Sequence, residues 1–292
     1  MPEFISKLQH KYYEKGEFTD EKVRNLEETI QLIRSFPWNK ERGTDIQLTG
    51  PSVTIRDKNG NYLKIALFFN GKYCLYYLDT DSHLYEYHTA NLDEACDIVT
   101  KFFGGEISLQ IFEKHLFSTG VRKHFEAGNF EYRISMLRGS IVMFLFTLIF
   151  LLPVIMTLCF LPKGEMLWPP VIMYMLLLAF ISRRYYLTVR VFLKARHTFI
   201  YVTGGDDSFI YGSDDDYKTY YKKDVSALNV FGGMRSSKIV GIAEIELSNG
   251  SVLSVPEMLI DKFSLVEKFR DVKINYISSY FAGNKALMRF YQ

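Results

Sequence analysis

The chain has 292 residues, a formal net charge of +2, and 48% hydrophobic, 23% charged and 16% aromatic residues, close to the averages for a globular protein. That composition excludes a collagen-like or disordered chain, and so small a net charge excludes a nucleic-acid binder working through bulk positive charge. Cys74, Cys96 and Cys159 are odd in number and scattered, which excludes a disulfide-built secreted module and a C-x-x-C zinc or redox site.

Residues 1–130 read as an N-terminal cytosolic α+β domain. Thr19 is placed to cap a helix through Val23, Leu26, Ile30 and Ile33, whose spacings of three and four make one apolar face. Strand signals follow: Ser52 to Arg56, the Asn59-Gly60 turn, Tyr62 to Phe69, the Asn70-Gly71 turn, Lys72 to Leu78, and Leu84 to Thr89. Asn91 and Glu94 then start a helix that ends before Gly104-Gly105, with Leu92, Ala95, Cys96, Val99, Phe102 and Phe103 at helical period. The expectation is an antiparallel meander of four strands with helices on one face. Ser108 to Phe125 is expected to form a further helix.

Residues 131–186 are expected to hold a two-helix transmembrane hairpin. Gly139 to Leu161 carries no charge over 23 residues, about 34 Å as a helix, enough for a hydrocarbon core of roughly 30 Å. Residues 166–182 are shorter; taken alone they also fit a buried core helix or a re-entrant segment. Trp168 at one end, and Arg183 and Arg184 at the other, favour a span. Lys and Arg concentrate outside the hairpin, with Arg138 at its start, so positive-inside bias puts both termini in the cytoplasm of a two-pass inner-membrane protein. Arg138, Trp168, Arg183 and Arg184 are the expected membrane-interface residues.

Residues 187–292 form the expected second cytosolic module. Leu187 to Leu193 has a strand pattern, and short β signals recur at 198–202, 208–211, 219–222, 225–231, 238–247 and 251–255. After Pro256 the period becomes helical, with Leu259, Phe263, Val266 and Phe269 on one side. A β-barrel or curled sheet with a terminal helix follows. The fold class is thus an α+β membrane protein.

The Tyr-Tyr-Lys-Lys-Asp-Val stretch (Tyr220 to Val225), the Ile-Glu-Leu-Ser-Asn-Gly hairpin (Ile245 to Gly250) and the final helix, behind two spans, resemble the bacterial pleckstrin-homology-like domains of two-pass membrane proteins over residues 180–272. The resemblance implies the fold. It does not imply a phosphoinositide ligand, because lipid-binding members use a basic first hairpin and the loop Gly204 to Ser208 contains Asp206 and Asp207. The layout of Phe69 to Gly105 is similar to small α+β immunity proteins that bacteria carry against rivals' toxins.

Sites of chemistry are sparse. His83, Glu86 and His88 are the closest set to a metal site, but no fourth ligand has matching spacing, and a surface or edge-strand role is favoured. Asp214 to Asp216 lacks the ligand ladder of a calcium loop. No G-x-S-x-G, H-E-x-x-H, P-loop or strand-to-helix G-x-G-x-x-G is present, so neither catalytic residue nor cofactor is expected. Arg235 and Lys238 lie in a Gly-rich basic loop suited to an acidic partner. Tyr73 and Tyr77 share one strand face and Tyr85 and Tyr87 another; with Glu86 they are expected to form a partner-binding patch on an uncovered sheet face, the alternative being cross-strand packing.

The leading functional expectation is a non-enzymatic membrane-anchored binding protein, an immunity protein whose partner is a toxin. The alternative is a PH-like scaffold recruiting a protein at the inner leaflet, with the lipid bilayer and a second copy of the chain as further partners and no nucleic acid.

Overall fold

A computed structural model describes residues 2–42, 48–116, 119–135, 189–231 and 241–278, with isolated positions between 137 and 186 and between 286 and 290. The chain divides into two compact units, one of Met1–Phe130 with Thr203–Asp206, the other of Glu131–Val202 with Asp207–Gln292.

The first unit is built on a seven-stranded antiparallel sheet in the order β2-β1-β3-β4-β5-β6-β7. Its strands are β1 (Phe4–Gln9), β2 (Thr19–Arg24), β3 (Ser52–Arg56), β4 (Tyr62–Leu67), β5 (Tyr73–Leu78), β6 (Leu84–Thr89) and β7 (Glu113–Lys114). The expected four-stranded meander is β3 to β6, and three strands widen it. Thr19 opens β2 rather than a helix. Helix α1 (Leu26–Ser35) starts instead at Asn25, whose side chain accepts from the Glu28 amide while the Glu28 carboxylate accepts from the Asn25 amide. This reciprocal cap satisfies two end groups that Thr19 would leave to the preceding strand. A short α2 (Trp38–Glu41) follows, and α3 (Leu92–Gly104) is capped by Asn91 and stopped by Gly105 at φ +71°, a left-handed conformation that favours glycine.

Period-two alternation sorts the side chains of this sheet. Val53, Ile55, Leu63, Ile65 and Leu75 face α1 and α3, where they pack with Ile33, Ala95, Val99, Phe102 and Phe103. The opposite face carries Tyr62, Ala66, Cys74, Tyr76 and Leu78, packed with Val121 and Phe125. The segment expected as a helix over 108–125 is instead a 3-10 turn at Leu109–Ile111, the strand β7 and a second 3-10 turn at Val121–His124.

The second unit holds two four-stranded sheets. One has the order β11-β10-β9-β8, made of β8 (Glu131–Arg133), β9 (Thr198–Tyr201), β10 (Ser208–Ser213) and β11 (Tyr217–Tyr221). The other has the order β14-β13-β12-β15, made of β12 (Val225–Phe231), β13 (Ile242–Leu247), β14 (Val252–Pro256) and β15 (Ile274–Ile277), the last parallel to β12. They share a core of Ile200, Phe209, Leu228, Val230, Ile245 and Val255, closed by Leu265 and Phe269 of the segment containing α4 (Lys262–Lys268). Phe209 and Phe269 meet edge to face at 5.2 Å, and the Tyr211 hydroxyl donates to the Ser254 carbonyl at 2.6 Å. Residues 189–195 are helical, where a strand was expected over Leu187 to Leu193.

Two expectations of fold class are corrected. The C-terminal sheet is not a closed barrel: both sheets are open, because β11 pairs only with β10 and β14 only with β13 among the described residues. The transmembrane hairpin is corrected too, since among the described residues no helix is long and apolar enough to cross a membrane. The two-pass inner-membrane localisation that rested on it falls with it. Most of 139–161 and 166–182 lies outside the described residues. What stands is an α+β protein with, among the described residues, two antiparallel sheets and one mixed sheet.

Gly212 in β10 has no room for a side chain, since a Cβ there would lie 2.3 Å from the Asp216 carbonyl oxygen and 2.4 Å from the Tyr217 Cα. Gly212→Ala should destabilise the second unit by about 2 kcal/mol or more, the cost of overpacking against backbone, read as a lower denaturant midpoint for that unit.

Candidate functional site

A concentration of functional side chains lies on the β5–β6 hairpin and the β7 strand beside it. Register places Tyr73 opposite Thr89, Cys74 opposite His88, Leu75 opposite Tyr87, Tyr76 opposite Glu86 and Tyr77 opposite Tyr85. Alternation then sends Tyr73, Tyr77, Tyr85 and Tyr87 to one face, and Cys74, Tyr76, Glu86 and His88 to the other.

The tyrosine face is the helix-backed one, not the uncovered face the sequence suggested. Tyr77 is buried, 6.1 Å from the Phe102 ring of α3 and 6.1 Å from Tyr85. Tyr73 meets Trp38 edge to face at 5.4 Å. The Tyr87 hydroxyl donates to Glu94 at the start of α3 at 2.5 Å, and Thr89 donates to the other carboxylate oxygen at 2.5 Å. These two donors hold the Glu94 carboxyl below its ordinary range, and the same bond pushes the Tyr87 phenol up; burial raises Tyr73 and Tyr77. Tyr85 and Tyr87 remain half-buried at the rim.

On the other face Glu86 sits between two imidazoles. One carboxylate oxygen lies 2.8 Å from His88 Nε2 and the other 2.5 Å from His115 Nε2. His115 reaches this position because β7 pairs with β6 and the His115 amide donates to the Leu84 carbonyl at 2.9 Å. Donor atoms of Cys74, Glu86 and His88 all lie within 4.8 Å of one another. Burial pushes the Cys74 thiol up, against a smaller lowering by the Tyr76 hydrogen bond and with a lesser push from Glu86. Phe68 covers the His88 ring at 4.0 Å between centroids. His83, grouped with Glu86 and His88 by sequence, belongs elsewhere: it pairs with Asp79 at 3.0 Å in the β5–β6 turn, beside Asp81.

Further along the same face Lys64 is wholly buried. Its Nζ donates to Gln9 Oε1 at 2.8 Å and to the His124 carbonyl at 3.2 Å, with the Phe18 and Phe125 rings about it. Burial, reinforced by Lys7, lowers its pKa from 10.5 to about 7. Lys7 is also lowered by burial, and His124 is lowered to about 4 by burial and the nearby cations. Thr54, paired with both Lys7 and Lys64 across the strands, is a buried hydroxyl with no hydrogen-bond partner among the described residues.

In the second unit the acidic turns are exposed at Asp207 and at Asp214 to Asp216, and Asp214 pairs with Arg133 at 2.5 Å. Arg138, Trp168, Arg183, Arg184, Arg235 and Lys238 lie outside the described residues.

A sequence family described as PH domain matches residues 129–268, just under half of the chain. The C-terminal region is PH-like. The matched stretch takes in β8 to β14 and α4 of the second unit, so the PH-like expectation holds for sequence, with two open sheets and a helix as its structure. No curated protein and no solved structure gives a significant match.

Sequence reasoning missed Cys74, His115 and Lys64. Cys74 was recoverable from the hairpin: with Asp79 to His83 as the turn, Leu78 opposes Leu84 and Cys74 must oppose His88. His115 was not, because a two-residue strand has no readable pattern.

Two outcomes separate packing from surface roles. Tyr77→Ala should destabilise the first unit by about 3 kcal/mol, against about 1 kcal/mol for Tyr85→Ala, in urea unfolding followed by tryptophan fluorescence. Lys64 gives a pH signature. Between about pH 7 and its unfolded value of 10.5 the unfolded chain binds the proton that the folded chain has released, so its contribution to stability rises with pH and is lost as pH falls through 7. Lys64→Met should remove that rise, at most about 1.4 kcal/mol per pH unit, seen as a difference from the parent chain in unfolding curves taken at pH 7 to 8.5.

Proposed function

We propose that this chain is a non-enzymatic binding or scaffold protein whose PH-like region engages a protein partner. The observation that carries this reading is the PH-domain match over residues 129–268. PH domains serve binding and recruitment, and a fold alone fixes no ligand. The acidic character of Asp207 and Asp214 to Asp216 favours a basic protein surface over an anionic lipid headgroup, since like charges would raise the cost of approach.

The first unit supports the non-enzymatic half of the proposal. Its nucleophilic candidates are sequestered: Cys74, Cys96 and Lys64 are all buried, and burial pushes both thiols up, away from the thiolate a nucleophile requires. Toxin neutralisation is the narrower form of the same reading, and rests on the resemblance of the Phe69 to Gly105 sequence layout to small immunity proteins.

The test uses the full chain. Proximity labelling in the native cell should enrich a protein whose recovery falls at least about tenfold when Asp214, Asp215 and Asp216 are changed to Lys, and vesicles bearing phosphoinositides should not retain the chain. Retention on those vesicles, or partner recovery indifferent to the charge reversal, would sink the proposal.

A further inference from the structure

We propose that the β5–β6–β7 edge of the first unit is a zinc site, in which Cys74 Sγ, one carboxylate oxygen of Glu86 and a ring nitrogen of His88 ligate the ion and His115 fixes Glu86 from behind.

Donor chemistry comes first. Sulfur, imidazole nitrogen and carboxylate oxygen together suit Zn²⁺ among the common biological cations, while Ca²⁺ and Mg²⁺ take oxygen alone. Geometry comes second. Zinc–ligand bonds of about 2.0 to 2.3 Å in a tetrahedron set donor atoms roughly 3.3 to 3.8 Å apart. The three donors already stand within 4.8 Å of one another, and Glu86 and His88 touch at 2.8 Å, so side-chain rotations suffice to converge them.

The backbone holds the three positions together before binding, so that only side-chain rotation is left to the ion. Cys74 and His88 are direct cross-strand partners, Glu86 is two residues from His88 on the same face, and all three lie on paired strands of one sheet. Glu86 is held as metal-ligating carboxylates are, by a hydrogen bond to its second oxygen, from His115 at 2.5 Å. Cys74 is wholly buried and Phe68 covers one side of His88, so the ion would bind at a half-shielded edge with its fourth position open to water. Coordination replaces the thiol proton of Cys74, which leaves to solvent, and turns the neutral sulfur into a ligand thiolate. The turn group Asp79, Asp81 and His83 supplies no sulfur and is a natural control.

The experiment takes the full chain, stripped with a chelator, and titrates it with Zn²⁺ in competition with a chromophoric chelator and separately with Co²⁺. One Zn²⁺ per chain is expected. The Co²⁺ form should show a thiolate-to-metal charge-transfer band in the near ultraviolet that persists in Cys96→Ser and Cys159→Ser, which identifies Cys74 as the ligand even if Cys74→Ser folds poorly. His88 is exposed, so His88→Ala should fold and lower affinity at least about 100-fold, while His115→Ala should lower it roughly 10- to 100-fold. His83→Ala should leave affinity unchanged. Absence of stoichiometric Zn²⁺, a Co²⁺ spectrum without the thiolate band, or binding lost in His83→Ala but kept in His88→Ala would each overturn the assignment.

Discussion

Antiparallel register across five strands is the constraint on which the first unit depends. Because each pair is in step with the next, residues line up in transverse rows: Lys7, Thr54, Lys64, Tyr76 and Glu86 in one, Gln9, Ser52, Ala66, Cys74 and His88 in another. A row such as Leu8, Val53, Ile65, Leu75 and Tyr87 falls on the opposite face and becomes the core under the helices. A slip of one residue at any pairing would exchange the two kinds of row from that strand onward, setting Lys64 against α3 and Val53 against the loop. Apolar burial beneath the helices, at roughly 1.5 to 3 kcal/mol per large side chain, therefore also fixes the polar face.

That polar face is chemically unusual because its charges are not evenly matched. At its centre Lys64 has amide and carbonyl oxygens for partners and, among the described residues, no carboxylate at bonding distance, whereas at the edge Glu86 has two imidazoles. Burial resolves the first by lowering the affinity of Lys64 for its proton; the second is resolved by hydrogen bonds. A PH-like second unit with exposed acidic turns presents the contrasting case, in which charge stays in water and is available to a partner.

Legibility followed the length over which a pattern was sustained. Strands β3 to β6 were visible because alternation ran for five or six residues between Asn-Gly turns, and α3 because six apolar residues kept a helical period after Asn91. β1 was hidden by Lys7 and Gln9, polar residues that are buried only because β3 and the Phe18 ring lie against them. Val23, placed on a helix face by its distance from Leu26, proved an exposed strand residue, since spacing across an element boundary carries no information about either element. The tyrosines do share a side of the sheet, with Tyr77 opposite Tyr85, but it is the side the helices cover, because alternation tells which residues share a side and not which side is covered. The PH-like character of the second unit was legible from local motifs; its two-sheet form was not, because β15 joins β12 from far along the chain, every paired residue lying 46 positions on, as Leu228 with Ile274 and Phe231 with Ile277.

That parallel pairing of β12 with β15 sets an order of events during synthesis. Strand β12 occupies the interior of its sheet, between β13 and β15, so one of its edges stays unpaired until Ile274–Ile277 has been made and α4 has turned the chain back. The partly made sheet thus exposes hydrogen-bonding groups of Leu228 to Phe231 for as long as the ribosome takes to add the intervening residues, a few seconds at about 5 to 20 residues per second. Strand β1 of the first unit waits in the same way for β3, since Gln9 pairs with Ser52 only after β2, α1 and α2 have been made. The open edge of β12 is thus a place where a nascent chain of this protein would be caught by a chaperone or by a second copy of itself.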